Sequence, residues 1–211
     1  MIKGMLFNTE MVKAILAGRK TQTRRLVKER HLRVLDSPYH KEHSEVPDKV
    51  LLEKLCELPY QSGDVLYVRE TWCENGDYEL YPFETEKFWY KADEPDKVPP
   101  TPVWFRGWHP SIHMPKEAAR IFLRVTGVRV ERLQDVTLDD AIAEGCQGKF
   151  IGCGECVGAG WEILPEDEFA DVWNRTIKKS DIDKYGWDAN PYIWCISFER
   201  ITKEEAINYA Q

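Results

Sequence analysis

Apolar residues recur at helical spacing near the start of the chain, at Met11, Val12, Ile15 and Leu16. That period predicts an amphipathic helix. Asn8 or Thr9 can cap it, because a short polar side chain accepts from an orphan backbone N–H, and Gly18 can close it in a left-handed conformation. The pattern then turns polar and basic over Arg19-Lys20-Thr21-Gln22-Thr23-Arg24-Arg25. Val65-Leu66-Tyr67-Val68 follows a Gly63-Asp64 turn and reads as a strand buried on both faces, ending in Arg69-Glu70. Ile121, Leu123 and Val125 alternate, then shift phase to Val128 and Val130. Gly127 sits at the shift, which predicts a bulge or bend in a long strand. Thr137-Leu138-Asp139-Asp140 opens a short helix as a capping box and Gly145 stops it. Phe169, Val172, Trp173 and Ile177 share one helical face after Pro165, and Tyr192, Trp194, Ile196 and Phe198 alternate as a final strand.

Helices and strands in this order do not alternate regularly. A doubly wound parallel sheet is therefore not expected. The order fits an α+β fold with a small, largely antiparallel β-barrel flanked by helices. A length of 211 residues suits one domain over 1–211 with insertions. Three stretches read as insertions, near 36–62, 73–110 and 146–160. The first is charged, with Pro38, Pro47 and Pro59 and one apolar helix candidate at 50–55; the second is acidic, then Pro-rich, with Phe88-Trp89-Tyr90 as a short strand within it.

Composition adds limits. Hydrophobic residues make up 43% of the chain, enough for a core. No apolar run reaches the ~18 residues of a membrane helix, so no membrane partner is expected. The first residues carry no signal-peptide pattern, which points to the cytoplasm, where the 6 Cys stay reduced. The net charge of −7 argues against a nucleic-acid ligand until it is split. Residues 1–35 hold nine Lys or Arg and two Glu, a local +7, which leaves −14 on the remainder. The chain is acidic with a basic N-terminal strip. Phosphate loops, dinucleotide fingerprints, nucleophile elbows and His-Glu-x-x-His are all absent. Cys153-Gly154-Glu155-Cys156, with Cys146 upstream, has the gap of a zinc knuckle. A structural zinc needs a fourth ligand, from Cys73, Cys195, a His or an acid; without one this is a loop of ordinary thiols.

The segment Gly18-Arg19-Lys20-Thr21-Gln22-Thr23-Arg24-Arg25, directly after a short helix, resembles the signature of the ASCH domains of the PUA-like superfamily. Gly63-Asp64-Val65-Leu66, Arg69-Glu70-Thr71-Trp72, Pro110-Ser111-Ile112-His113-Met114-Pro115, the 137–145 helix and Trp187-Asp188-Ala189-Asn190-Pro191 agree, the last with the longer ASCH proteins of phage and prophage type. The resemblance implies a PUA-like barrel whose cleft binds RNA or a modified nucleoside. For some compact members it implies an amidohydrolase that removes the acetyl group from N4-acetylcytidine, with no required cofactor. The implied catalytic residues fall on Lys20, Thr23 and Glu144.

The chemistry of these residue types is coherent. A Lys amine acts as a base once burial or a neighbouring cation lowers its pKa. Thr23 can be the nucleophile or hold water, and Glu144 can orient the Lys or shuttle a proton. Lys20 and Thr23 share a site only where the segment turns or bulges, because residues three apart in a regular strand face opposite ways. Arg19, Arg24 and Arg25 are candidate substrate or nucleic-acid contacts, joined by Glu70 at a strand end, Trp72 as a stacking surface and His113. Four functions stay open: a binding module for RNA or a modified nucleoside, an amidohydrolase, a ribonuclease, and a phage interaction protein whose acidic loops meet a partner.

Overall fold

The helix expected from Met11, Val12, Ile15 and Leu16 forms at Thr9–Leu16. Its cap is Asn8, whose side chain accepts from the Met11 N–H at 2.8 Å. It closes at Gly18, where φ is +73°, a conformation that glycine adopts without strain. The computed structural model describes residues 2–76, 86–93, 107–151 and 160–209. Within them the strands are β1 (Ile2–Leu6), β2 (Gln22–Leu26), β3 (Val65–Arg69), β4 (Trp72–Glu74), β5 (Phe88–Tyr90), β6 (Phe122–Arg132), β7 (Lys149–Ile151), β8 (Gly160–Ile163) and β9 (Tyr192–Ile201). The helices are α1 (Thr9–Leu16), α2 (Glu29–Leu32), α3 (Pro38–Glu42), α4 (Asp48–Leu55), α5 (Leu138–Ala143), α6 (Pro165–Thr176), α7 (Ile182–Tyr185) and α8 (Lys203–Asn208). No helix among the described residues is long and apolar enough to cross a membrane.

The fold is α+β. Five strands form one mixed sheet in the order β1-β3-β6-β9-β2, and β4-β5 and β7-β8 form two-stranded sheets. The expectation of a barrel is not met by these strands: the sheet is open, with β1 and β2 as its edges. It is also not wholly antiparallel, because β1 runs parallel to β3 while β3 and β6 are antiparallel. Two of the five strands escaped the hydrophobic pattern. In β1, Gly4 lies opposite Tyr67, and a Cβ there would meet the ring at 2.8 Å. In β2 the residues are mostly polar, and their partners come from β9.

The described chain divides into two compact units. One comprises residues 1–18, 63–124 and 199–211. Its core gathers Val65, Trp72, Phe88, Tyr90, Met114 and Phe122. The second insertion contributes β5 and, beyond Trp72, the rest of β4, which pair antiparallel with Trp72 opposite Tyr90; residues 77–85 and 94–106 of that insertion lie outside the described residues.

The other unit comprises residues 19–62 and 125–198. Leu133, Ala141, Phe169, Trp173 and Ile193 build its core. The first insertion adds α3 and α4, and Leu51 and Leu52 bury the apolar face of α4. Asp48 ties this insertion down, accepting from the Tyr192 hydroxyl at 2.6 Å and lying 3.0 Å from His40 Nε2.

Candidate active site

The second unit carries the site, and the end of α5 builds it. Thr137 and Asp140 form the expected capping box, and Gly145 ends the helix at φ +101°. A helix end leaves carbonyls without intrahelical partners. Here three successive carbonyls are met by the segment that precedes β2. Thr21 N donates to the Ala143 carbonyl at 2.8 Å. Lys20 Nζ donates to the Glu144 carbonyl at 2.9 Å. Arg19 Nη1 donates to the Gly145 carbonyl at 2.9 Å. Two of the three donors are cations, which also suits the negative end of a helix dipole.

The side chains then close on each other. Lys20 Nζ lies 2.5 Å from Glu144 Oε2. The other carboxylate oxygen, Oε1, accepts from Arg24 Nη1 at 3.1 Å. Arg24 Nη2 reaches Asp140 Oδ2 at 3.3 Å and Glu131 Oε2 at 3.4 Å. Arg129 pairs with both of those acids, reaching Asp140 Oδ1 at 2.9 Å. The centre of this network is buried: the side chains of Lys20, Arg24 and Glu144 are 0%, 1% and 4% exposed.

Burial controls the ionisation here. It pushes the Lys20 amine below its ordinary pKa, despite the opposing pull of Glu144, and Arg25 adds to the depression. Arg25 is itself lowered by burial, against Glu144 and Tyr60. Burial opposes the charge on Arg24 too, but Cys195, Glu144, Asp140 and Glu131 outweigh it and raise that pKa. Burial acts on Asp140 in the opposite sense to Arg24, and Arg24 prevails with Thr137 and Arg129, so the carboxyl is lowered. Burial pushes the nearby Cys146 and Cys195 thiols up to about 12.

β2 splits the expected site residues between its two faces. Arg24 lies opposite Cys195, and Thr23 lies opposite Ile196. Successive strand residues face opposite ways, so Thr23 and Arg25 share the face that Arg24 does not. Thr23 is buried and its Oγ1 has no hydrogen-bond partner, nor has Arg24 Nε. Lys20 and Thr21 precede the strand and are free of its alternation.

Three expected residues belong to the other unit. Glu70 is 1% exposed and is held through both oxygens by the Arg120 fork, with Nε to Oε1 and Nη2 to Oε2 both at 2.9 Å. Arg120 also donates to Asp93 Oδ2 at 2.7 Å and stacks over the Tyr90 ring at 3.8 Å. Burial raises the Glu70 pKa more than Arg120 lowers it. Trp72 is core, edge-on to Phe88 at 5.6 Å, with a buried Nε1 that has no partner. His113 is exposed in a short turn, and the buried side chain there is Met114. Glu70→Gln turns one carboxylate oxygen facing Arg120 into an amide donor. The expected cost is ~1–3 kcal/mol in a thermal or urea melt; an unchanged midpoint would show the pair to be idle.

Sequence reasoning did not single out Glu131 or Arg129, and it took Asp140 only as a cap. Asp140 and Glu144 are four apart, the spacing of one helix face, and Arg129 and Glu131 are two apart, the spacing of one strand face. Those spacings were the available signal. The possible zinc ligands Cys153 and Cys156 lie outside the described residues, and Cys146 is buried. Among the described residues no group of three or more His, Cys, Asp or Glu is arranged to hold a metal.

No family model matches the chain, and no curated protein matches it. Among solved structures, a protein from Enterococcus faecalis V583 described with the family model DUF984 matches weakly. The match covers 92% of this chain and 69% of that one, at 14% identity and a TM-score of 0.36.

Proposed function

We propose that this chain is an ASCH-type, PUA-like hydrolase that binds an acylated cytidine and cleaves its N4-acyl amide. The observation that carries this reading is the meeting of Lys20 and Glu144, at 2.5 Å and across 124 positions of sequence. A lysine amine serves an amide hydrolase as general base only in its neutral form. Desolvation favours that form of Lys20. The neutral amine takes a proton from water; Thr23, on the face of β2 away from Arg24, makes no hydrogen bond to Lys20. The water oxygen attacks the acyl carbon, and the C–N bond breaks. The ammonium of Lys20, held by Glu144, returns its proton to the departing cytosine amine. One water is consumed, and cytidine and a carboxylic acid leave.

The basic strip supports nucleoside recognition more than broad phosphate contact. Lys3, Lys13, Lys20 and Arg24 already pair with acids of this chain. The test is chromatographic: the chain is incubated with N4-acetylcytidine and the products are separated. Cytidine and acetate are expected in equal amounts. No cytidine above the protein-free control would overturn the hydrolase. Salt-sensitive binding of labelled RNA in its place would then favour the binding module.

A further inference from the structure

We propose that Arg24 is a positioning residue for this site: it fixes one oxygen of Glu144 so that the other, with the Glu144 carbonyl, faces Lys20. The inference rests on the hydrolase reading above. A Glu side chain turns freely about its last torsion, so an ion pair with Lys20 alone would not set the plane of the carboxylate. Arg24 sets it from the opposite side, because Oε1 goes to Arg24 and Oε2 to Lys20.

Arg24 is in turn held rigidly. Its second terminal nitrogen lies between Asp140 and Glu131, and both acids are anchored by Arg129. Asp140 is further fixed as the helix cap, accepting from Thr137. The guanidinium packs against the Phe169 ring at 5.5 Å. With its side chain 1% exposed and both terminal nitrogens engaged, Arg24 holds other residues and does not reach out to a ligand. Its planar fork is suited to this, since one ammonium cannot span two carboxylates in the same way. Four basic side chains, Lys20, Arg24, Arg25 and Arg129, lie among three acids, Glu144, Asp140 and Glu131.

The experiment compares the native chain with Arg24→Gln and Arg24→Lys. Each is checked for native-like circular dichroism first. Turnover of N4-acetylcytidine is measured against pH, and the Lys20 amine is titrated by NMR in lysine-labelled protein. Lys20 is faced by Glu144 at the end of α5, by Cys146 just beyond it, and by Arg25 on β2. Glu144 is faced by Lys20, Arg24 and Arg25. Removing Arg24 leaves that set richer in negative charge. For Arg24→Gln, kcat at neutral pH is expected to fall ~10–100-fold with KM little changed. The rising limb of kcat and the Lys20 titration are expected to move together to higher pH.

Arg24→Lys is expected to lose kcat while keeping the limb near its native position, because the charge stays and the fork is gone. A folded Arg24→Gln with native kcat and native Lys20 titration overturns the proposal. Where Arg24→Gln does not fold, native kcat in Arg24→Lys overturns it equally. A native chain without turnover sinks the hydrolase instead. In that case the NMR titration still decides whether Arg24 governs Lys20.

Discussion

Glu144→Ala is expected to destabilise the protein by about 3–5 kcal/mol, read by urea unfolding at neutral pH. The size follows from what the carboxylate leaves behind. Lys20 Nζ and Arg24 Nη1 both donate to it, in an interior where neither side chain exposes more than 1% of its surface. A buried charge without its partner costs far more than an ordinary hydrogen bond returns. Lys20 can relieve part of the cost by losing its proton, since burial already lowers its pKa. Arg24 cannot deprotonate and keeps only Asp140 and Glu131. A loss below about 1 kcal/mol would place the pair in the class of surface salt bridges and contradict its burial.

The same physics predicts a strong non-additivity. Lys20→Met with Glu144→Leu removes both charges and keeps the volume apolar. Such exchanges of a buried pair are often neutral or stabilising. The double variant is therefore expected to be more stable than Glu144→Ala, and the cycle of single and double variants isolates the coupling. If it is more stable than the native chain, the ion pair is kept at a cost to stability. Function then becomes the reason for keeping it.

How much of this could be read from the sequence depended on how local each feature is. The α1 cap at Asn8, the α5 capping box and the closures at Gly18 and Gly145 need only a few neighbouring residues, and all were legible. β1 was not, because its partner lies some sixty residues on, at Val65–Arg69, and Gly4 fits there only because Tyr67 fills the space. β2 was missed for a different reason. Its arginines read as a solvated or phosphate-binding strip, and nothing within the segment reveals the acids at 131, 140 and 144. Lys20 and Glu144 were linked by family resemblance, not by spacing. The sheet's closure was likewise beyond the order of elements, which is the same for an open sheet and a barrel. Glu70 shows the limit clearly. A carboxylate at a strand end suggests a ligand site, but its partner Arg120 is fifty residues away.

Lys20→Ala is expected to lower kcat/KM for N4-acetylcytidine by ~10²–10⁴-fold, about 3–5 kcal/mol of transition-state stabilisation. That variant alone is ambiguous, because it also removes donors from the Glu144 carbonyl and carboxylate. Lys20→Arg separates the two roles. A guanidinium can still pair with Glu144, but it does not give up its proton in a protein. A fold-stabilising Lys20 predicts that Lys20→Arg keeps native turnover; a base predicts that it is as inactive as Lys20→Ala while melting closer to the native chain. The pH profile adds the sign. Only the neutral amine is a base, so native kcat rises with pH through the Lys20 titration and then levels. Burial places that rise below the ordinary lysine range near ~10.4. Glu144 opposes this shift, so Glu144→Gln is expected to move the rise to still lower pH. A profile that is flat, or one that falls over this range, would remove Lys20 as the base. A structural ion pair would not produce the paired outcome of a lower-lying rise in Glu144→Gln and silence in Lys20→Arg.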